Sequence, residues 1–159
     1  MQPHLEQVQA ALAANGHPGT ESHGLLVVPI PRTALLETVA QLKQDWQFDL
    51  FLDVTAVDWP QREPRFDVVY HFYSTTQHVR LRLKLTVPES DPVVDSLVAW
   101  YGSAAFMERE CHDMFGIRFR GNADLRPILL YEGFKGHPLR KTYAKTQEQP
   151  LVRYREGSS

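Results

Sequence analysis

Two stretches of the chain hold the residues whose types and spacing could do chemistry. The first is Glu108-Arg109-Glu110-Cys111-His112-Asp113. On a helix Glu108 and His112 stand at i,i+4, as do Arg109 and Asp113, so each carboxylate has a partner one turn away. One use of that pattern is general acid–base catalysis by Glu108 and His112 with Cys111 as nucleophile. The other is structural: two ion pairs, with Glu110 half-buried beside Phe106 and Met114 at the border of an apolar stripe. Cys111 shares the apolar side with Met107 and Met114, where an inert buried thiol belongs, and this favours the structural use.

The second stretch is Gly133-Phe134-Lys135-Gly136-His137-Pro138-Leu139-Arg140-Lys141, which joins glycines to a rigid proline and adjacent cations. Arg140 could fork onto a carboxylate, while Phe134 and Leu139 could fill pockets on a partner. As a free loop the segment has too little apolar area to order itself. A disordered basic tail and a docked one both fit the composition, and the two apolar side chains among the charges favour docking.

The elements that must position these residues follow from periodicity. Leu5, Val8 and Leu12 recur at i, i+3, i+7 and Asn15-Gly16 stops them, which predicts a helix over 3–14. Residues 24–31 are rich in β-formers but contain Pro29, so this strand is short or lies at an edge. After Pro31, Leu35, Val39, Leu42 and Trp46 form the stripe of a second helix. Three strands follow, 48–58, 66–74 and 78–87, as a meander with a turn at 74–77. In the last of them Leu81, Leu83, Leu85 and Val87 alternate with Arg80, Arg82, Lys84 and Thr86, one face to the core and one to water.

Ser90-Asp91-Pro92 reads as an N-cap followed by a first-turn proline, predicting a third helix through Val93, Val94, Leu97, Val98 and Tyr101. Gly102-Ser103 breaks it, and residues 104–115 form another helix closed by Gly116. Beyond Ile117 the periodicity fades. Glycines and prolines at 121, 127, 133, 136, 138 and 150 suit an extended segment ordered by whatever it lies on. The expected organisation is a compact α+β domain over 1–120 and an extended arm over 121–159. The arm from Leu125 to Arg155 is expected to be mobile in the free chain and ordered by a partner.

Composition excludes several classes. A chain of 159 residues, 43% apolar, buries enough surface to fold without a disulfide or metal staple. Its single cysteine cannot hold an iron–sulfur cluster, which takes about four. The histidines at 4, 17, 23, 71, 78, 112 and 137 make no i,i+3 or i,i+4 metal pair. Phosphate loops, dinucleotide fingerprints, nucleophile elbows and H-E-x-x-H are all missing from the sequence. Apolar runs are far short of the ~20 residues of a membrane-spanning helix. The first six residues lack the cationic and apolar parts of a secretory signal, so no export is expected. Residues 1–107 carry 7 basic and 12 acidic side chains, against 10 and 7 in residues 108–159. That acidic first part opposes nucleic-acid binding through Arg80, Arg82 and Lys84.

Taken together, E-R-E-x-x-D-M-F-G-I-x-F over 108–119, Gly121, Asp124-Leu125-Arg126, Ile128-Leu129 and G-H-P-L-R-K over 136–141 resemble the C-subunit family of NADH-quinone oxidoreductase, respiratory complex I. Upstream, F-L-D-V-T over 51–55 and V-V-Y-H over 68–71 are similar too, so the likeness runs from about 35 to 143. Asn122 and Thr142 depart from it, standing where most members carry His and commonly Asp.

The resemblance implies a two-layer α+β domain, with a mixed, largely antiparallel sheet, helices on one face and a C-terminal arm. It also implies a subunit of the peripheral arm, at the cytoplasmic face of the membrane, that binds no flavin, cluster or quinone itself. Such a protein packs chiefly on the D-subunit of the complex, which helps form the quinone site, with the B- and I-subunits as further candidate neighbours. It touches the membrane only through the complex. The partner-binding residues this implies are Glu108, Arg109, Glu110, Asp113, Phe134, His137, Pro138, Leu139, Arg140 and Lys141, with no catalytic, cofactor or metal ligand. The alternatives are the equivalent subunit of a membrane-bound hydrogenase or other quinone-linked dehydrogenase complex, and a free-standing hydrolase built on Glu108, His112 and Asp113.

Overall fold

A computed structural model describes residues 2–149. Helix α1 (Pro3–Ala14) starts on a proline whose missing N–H costs nothing in the first turn. It leads to a hairpin of β1 (Thr20–Ser22) and β2 (Leu25–Pro29). A short 3-10 turn runs into α2 (Leu35–Gln44), which buries Leu35, Val39 and Leu42. Then come β3 (Leu50–Asp58), β4 (Phe66–Ser74) and β5 (Val79–Val87). The chain continues through β6 (Val93–Asp95), α3 (Ala104–Phe115) and β7 (Arg118–Arg120).

Five strands form one sheet in the order β1-β2-β5-β4-β3, antiparallel except where β2 runs parallel to β5. Pro29 is therefore tolerated beside the centre of the sheet rather than at its edge. Ile30 donates its N–H to the Lys84 carbonyl at 2.9 Å, so the neighbouring Pro29 nitrogen faces the side that β1, paired only through Thr20 to Ser22, does not reach.

Register stacks one apolar face across the strands. Leu83 lies opposite Tyr70 and Tyr70 opposite Val54, while Leu81, Phe72 and Phe51 make the next row. A bulge between Phe51 and Asp53 keeps Phe51, Val54 and Ala56 on that face despite the irregular spacing. The apolar side chains of all three helices join the same core cluster. The fold is α+β, and among the described residues the reverse face of the sheet carries no helix.

The third helix expected over 91–101 is replaced by strand and turns. β6 pairs in parallel with β7. The Ser96 N–H donates to the Arg120 carbonyl at 2.9 Å, and the Leu97 N–H donates to the Glu108 carboxylate at 2.7 Å. These partners, distant in sequence, take donors that a helix would have used, and the β-branched pair Val93-Val94 suits the strand. Two smaller differences are the added strand β1 and the end of α2 at Gln44, before Trp46. Trp46 instead packs edge-on against His4 of α1, ring centroids 5.8 Å apart.

No helix or strand follows Arg120 among the described residues. The portion of the expected arm beyond 149 lies outside the described residues.

Candidate functional site

Helix α3 carries the acidic cluster, and its buried side is set by what the chain folds over it. Glu108, rather than Glu110, is the buried carboxylate, and Glu110 is exposed. Glu108 accepts from Ser96 Oγ at 2.7 Å, the Leu97 N–H at 2.7 Å and Asn122 Nδ2 at 2.9 Å. Burial pushes its pKa up, against the pull of those three bonds. It is a bracket holding the 96–97 turn and the start of the arm to the helix, with no exposed face for a substrate. Asn122 supplies the third bond.

The expected Glu108–His112 and Arg109–Asp113 pairs do not form. His112 Nδ1 lies 2.9 Å from the Ile117 carbonyl. Arg109 donates to the Arg126 and Pro127 carbonyls at 2.9 and 3.0 Å. Asp113, buried, accepts the N–H groups of Ile128, Leu129 and Leu130 at 2.8, 3.0 and 3.3 Å. Helical spacing put these partners within reach of each other, but backbone groups of the returning chain outcompeted them. Cys111 is buried, with its thiol pKa pushed well up by burial. A nucleophilic thiolate there is unfavourable.

The return segment is tied to its own domain, where composition alone suggested that only a partner could order it. Its anchors are polar, so its small apolar area did not decide the matter. His137 Nδ1 sits 2.9 Å from the Asp113 carbonyl, the Leu139 N–H donates to the Met114 carbonyl at 3.1 Å, and Arg140 Nε donates to the Phe115 carbonyl at 2.7 Å. These are carbonyls at the C-terminal end of α3, which have no partner within the helix. Gly116 caps that end at φ +75°, and a Cβ there would come within 2.5 Å of His137 Nε2 and 2.7 Å of Arg140 Nη2. Glycine is therefore required twice, for the left-handed turn and for the approach of the arm.

A second clasp joins the arm to the end of the sheet. Arg65 forks onto Asp58 at 2.7 and 2.8 Å, both side chains buried, and Asp58 also accepts the Lys141 N–H at 2.7 Å. Arg65 reaches Thr142 Oγ1 at 3.1 Å and Glu89 at 2.8 Å. Arg65 and Arg140 both stand over the Phe66 ring, 5.2 and 5.0 Å from its centroid. The Arg65 bond holds the Asp58 carboxyl below the usual aspartate value, in spite of its burial. Sequence reading missed Asp58, Arg65 and Glu89. Asp58 and Arg65 are joined only because β3 and β4 pair Asp58 with Phe66.

Phe134 is half-buried between Tyr131 and Tyr143, with centroids at 5.4 and 6.1 Å, so it props the arm from within. Pro138 is also half-buried, and Lys141 points its side chain outward. The most exposed apolar side chains here are Leu129 at 60% exposure, Leu139 at 51% and, on α3, Phe106 at 61%, with Ile128 and Tyr131 less so. The arm is thus held from beneath by polar bonds and turns several apolar side chains outward among charged ones such as Arg126, Glu132, Lys135 and Lys141. Among the described residues no nucleophile, base and oxyanion donors converge on one point.

The comparisons agree with the motifs on which the geometry rests. The family profile described as respiratory-chain NADH dehydrogenase, 30 kDa subunit, matches residues 28–149. The chain is 46% identical over 127 residues to the NADH-quinone oxidoreductase C-subunit of Dinoroseobacter shibae, covering 79% of this chain and 59% of that protein. With the same protein of Citrifermentans bemidjiense it shares 41% over 124 residues, covering 78% and 77%. The solved trypsin-resistant fragment (1-134) of Nqo5 superposes with a TM-score of 0.71 at 34% identity, covering 77% of this chain and 99% of the fragment. The helix with its buried Glu108 and Asp113, the glycine that admits the arm and the arm itself all lie inside the matched span, and the chain belongs to the 30 kDa subunit family of respiratory-chain NADH dehydrogenase.

Proposed function

We propose that this chain is a non-catalytic subunit of the peripheral arm of a proton-pumping NADH:quinone oxidoreductase, where it supports the subunit that forms the quinone site. The observation that carries this is that the arm of this family member turns Leu129 and Leu139 outward while the backbone around them is fixed from below by Asp113 and by the end of α3. Fixing the arm in advance lowers the entropy lost when a partner docks. Its main partner in this reading is the D-subunit, with the B- and I-subunits as further neighbours. In this reading the chain sits at the cytoplasmic face of the membrane and meets the bilayer only through the complex. No helix among the described residues is long and apolar enough to cross a membrane.

In this reading the chain contributes no redox group, and the electrons pass through other subunits. Its one thiol supports that, since Cys111 lies in the core with its pKa raised and is unsuited to ligate a cluster.

The test is purification of the complex from membranes containing tagged chain, either wild type or with Leu129→Asp and Leu139→Asp together. Wild type should bring down the other subunits with NADH:quinone activity, and the double variant should lose them while melting normally as a free chain. Undiminished capture by the double variant, or NADH oxidation by the free chain alone, would overturn the reading.

A further inference from the structure

The arm and the helices occupy one side of the sheet, and among the described residues no element covers the other. On that face the register sets Asp53, His71 and Arg82 in one row across β3, β4 and β5, Tyr73 and Arg80 in the row to one side, and Val69 and Lys84 in the row to the other. An antiparallel sheet often turns one face to water, and such a face usually mixes signs. Here the carboxylate Asp67 is buried and already taken by Trp59 Nε1 at 3.0 Å, by Lys84 at 2.8 Å and by Arg62. Most arginines in the described residues reach a carboxylate, as Arg62 and Arg65 do, whereas Arg80 and Arg82 have none within 4 Å among the described residues.

These two arginines are nevertheless held in place. Arg82 donates its Nε to His71 Nε2 at 2.8 Å, an acceptor that must be the neutral imidazole nitrogen. Burial, and then the charge of Arg82, push the His71 pKa down, against the pull of Asp53. The Arg80 guanidinium lies over the Tyr73 ring, 5.9 Å from its centroid. Val57, 39% exposed, and Trp59, 47% exposed, stand at the far end of this face, by Asp67 and away from the two arginines. Two oriented guanidinium groups, one of them over a tyrosine ring and neither with a carboxylate within 4 Å among the described residues, are of the residue types enriched at interface centres.

We propose that this open face, centred on Arg80 and Arg82, docks an extended, carboxylate-rich segment of a neighbouring protein subunit. The proposal rests on reading the chain as part of a larger assembly. Residues 80 and 82 project from the same face of β5, about 7 Å apart along the strand. Acidic side chains at alternate residues of an extended segment have the same repeat, and each could accept a two-pronged bond from one guanidinium. Anionic lipid headgroups would also be drawn to the charge, but a fluid surface does not need two guanidinium groups held at a fixed spacing.

The experiment uses the full chain in the membrane complex. One arm carries Arg80→Glu with Arg82→Glu, and a second carries Arg80→Glu alone, since that exposed side chain has no buried partner to lose. The third places a photo-crosslinking residue at Thr86, exposed on the same face, in an otherwise wild-type chain. The double variant is expected at about one tenth of the wild-type level in the purified complex, with the single variant between them. The crosslink should map to a peptide of another subunit bearing at least two Asp or Glu residues. Equal incorporation of wild type and both variants, or crosslinks to lipid or to a peptide without acidic residues, would overturn the docking proposal alone. A wild-type chain that co-purifies with no other subunit would instead overturn the reading as part of the complex, and the docking with it.

Discussion

Charged side chains occur on both sides of the sheet, and the two sides use them differently. On the helical side Asp113, Asp58 and Glu108 are buried, and each is satisfied by donors of the same chain: three consecutive backbone N–H groups, a forked arginine with a further N–H, and a turn with Asn122. On the open side Arg80 and Arg82 are oriented by a tyrosine ring and a neutral histidine, with no carboxylate within 4 Å among the described residues. A buried charge costs several kcal/mol unless paired, so the helical side had to be completed within the chain. Exposed cations carry no such penalty and can await a partner. Damage to the first set should therefore appear in the free chain, and damage to the second only in an assembly.

The sharpest break in that contrast comes at Asp58. Asp58→Ala leaves the buried Arg65 guanidinium without its forked partner and should cost about 3–5 kcal/mol in the free chain, read by denaturant melting. An unchanged midpoint would mean that the clasp is not closed in solution. The same carboxylate sets an acid limb. Its folded pKa lies below the unfolded value, so its contribution is complete above about 3.8 and is lost as pH falls below that value. Glu108, pushed up by burial, has the opposite sign: its shift favours the fold while it is protonated, and that gain is lost as pH rises above its ordinary value of 4.5. Melting below pH 4 should thus be steeper in wild type than in Asp58→Asn, and parallel curves would remove Asp58 from the account.

Asp113→Ala comes next, at about 2 kcal/mol, since it strips three amides of one shared acceptor. Hydrogen exchange at Ile128, Leu129 and Leu130 should speed up while β4 and β5 stay protected. Equal protection at these three amides would show the arm held by other contacts. Gly116→Ala should follow at about 1–2 kcal/mol from the left-handed backbone alone, and release of His137 and Arg140 should show as faster exchange at Leu139, whose N–H bonds to Met114. The smallest effect belongs to the other side of the comparison. Arg80→Glu in the free chain should shift stability by no more than about 0.5 kcal/mol. A larger loss there would mean that the open face is completed within the chain after all.

How far these features were legible beforehand depends on the distance over which they act. The alternation of Leu81, Leu83 and Leu85 with Arg80, Arg82 and Lys84 already states which face of β5 is wet, because the period of a strand is a local property. The same holds for α1, for α3 and for the Gly116 stop, which depend on neighbours within a turn or two. The segment over 91–101 misled for the converse reason. Its caps and spacing are those of a helix, but Arg120 and Glu108, distant along the chain, claim its amides. Which carboxylate of Glu108, Glu110 and Asp113 would be buried was equally closed to inspection. Helical geometry separates faces by about 100° per residue, and only the arm lying over α3 decides which of those faces is covered. Residue order therefore sufficed for the three helices and the meander of β3, β4 and β5, for the wet face of β5 and for the family motifs. The pairing of Asp58 with Arg65 and the seat of Asp113 under residues 128–130 exist only once the fold has brought distant backbone donors and side chains within about 3 Å of each other. That Arg80 and Arg82 pair with no carboxylate among the described residues is decided in the same way, by which carboxylates the sheet leaves out of their reach.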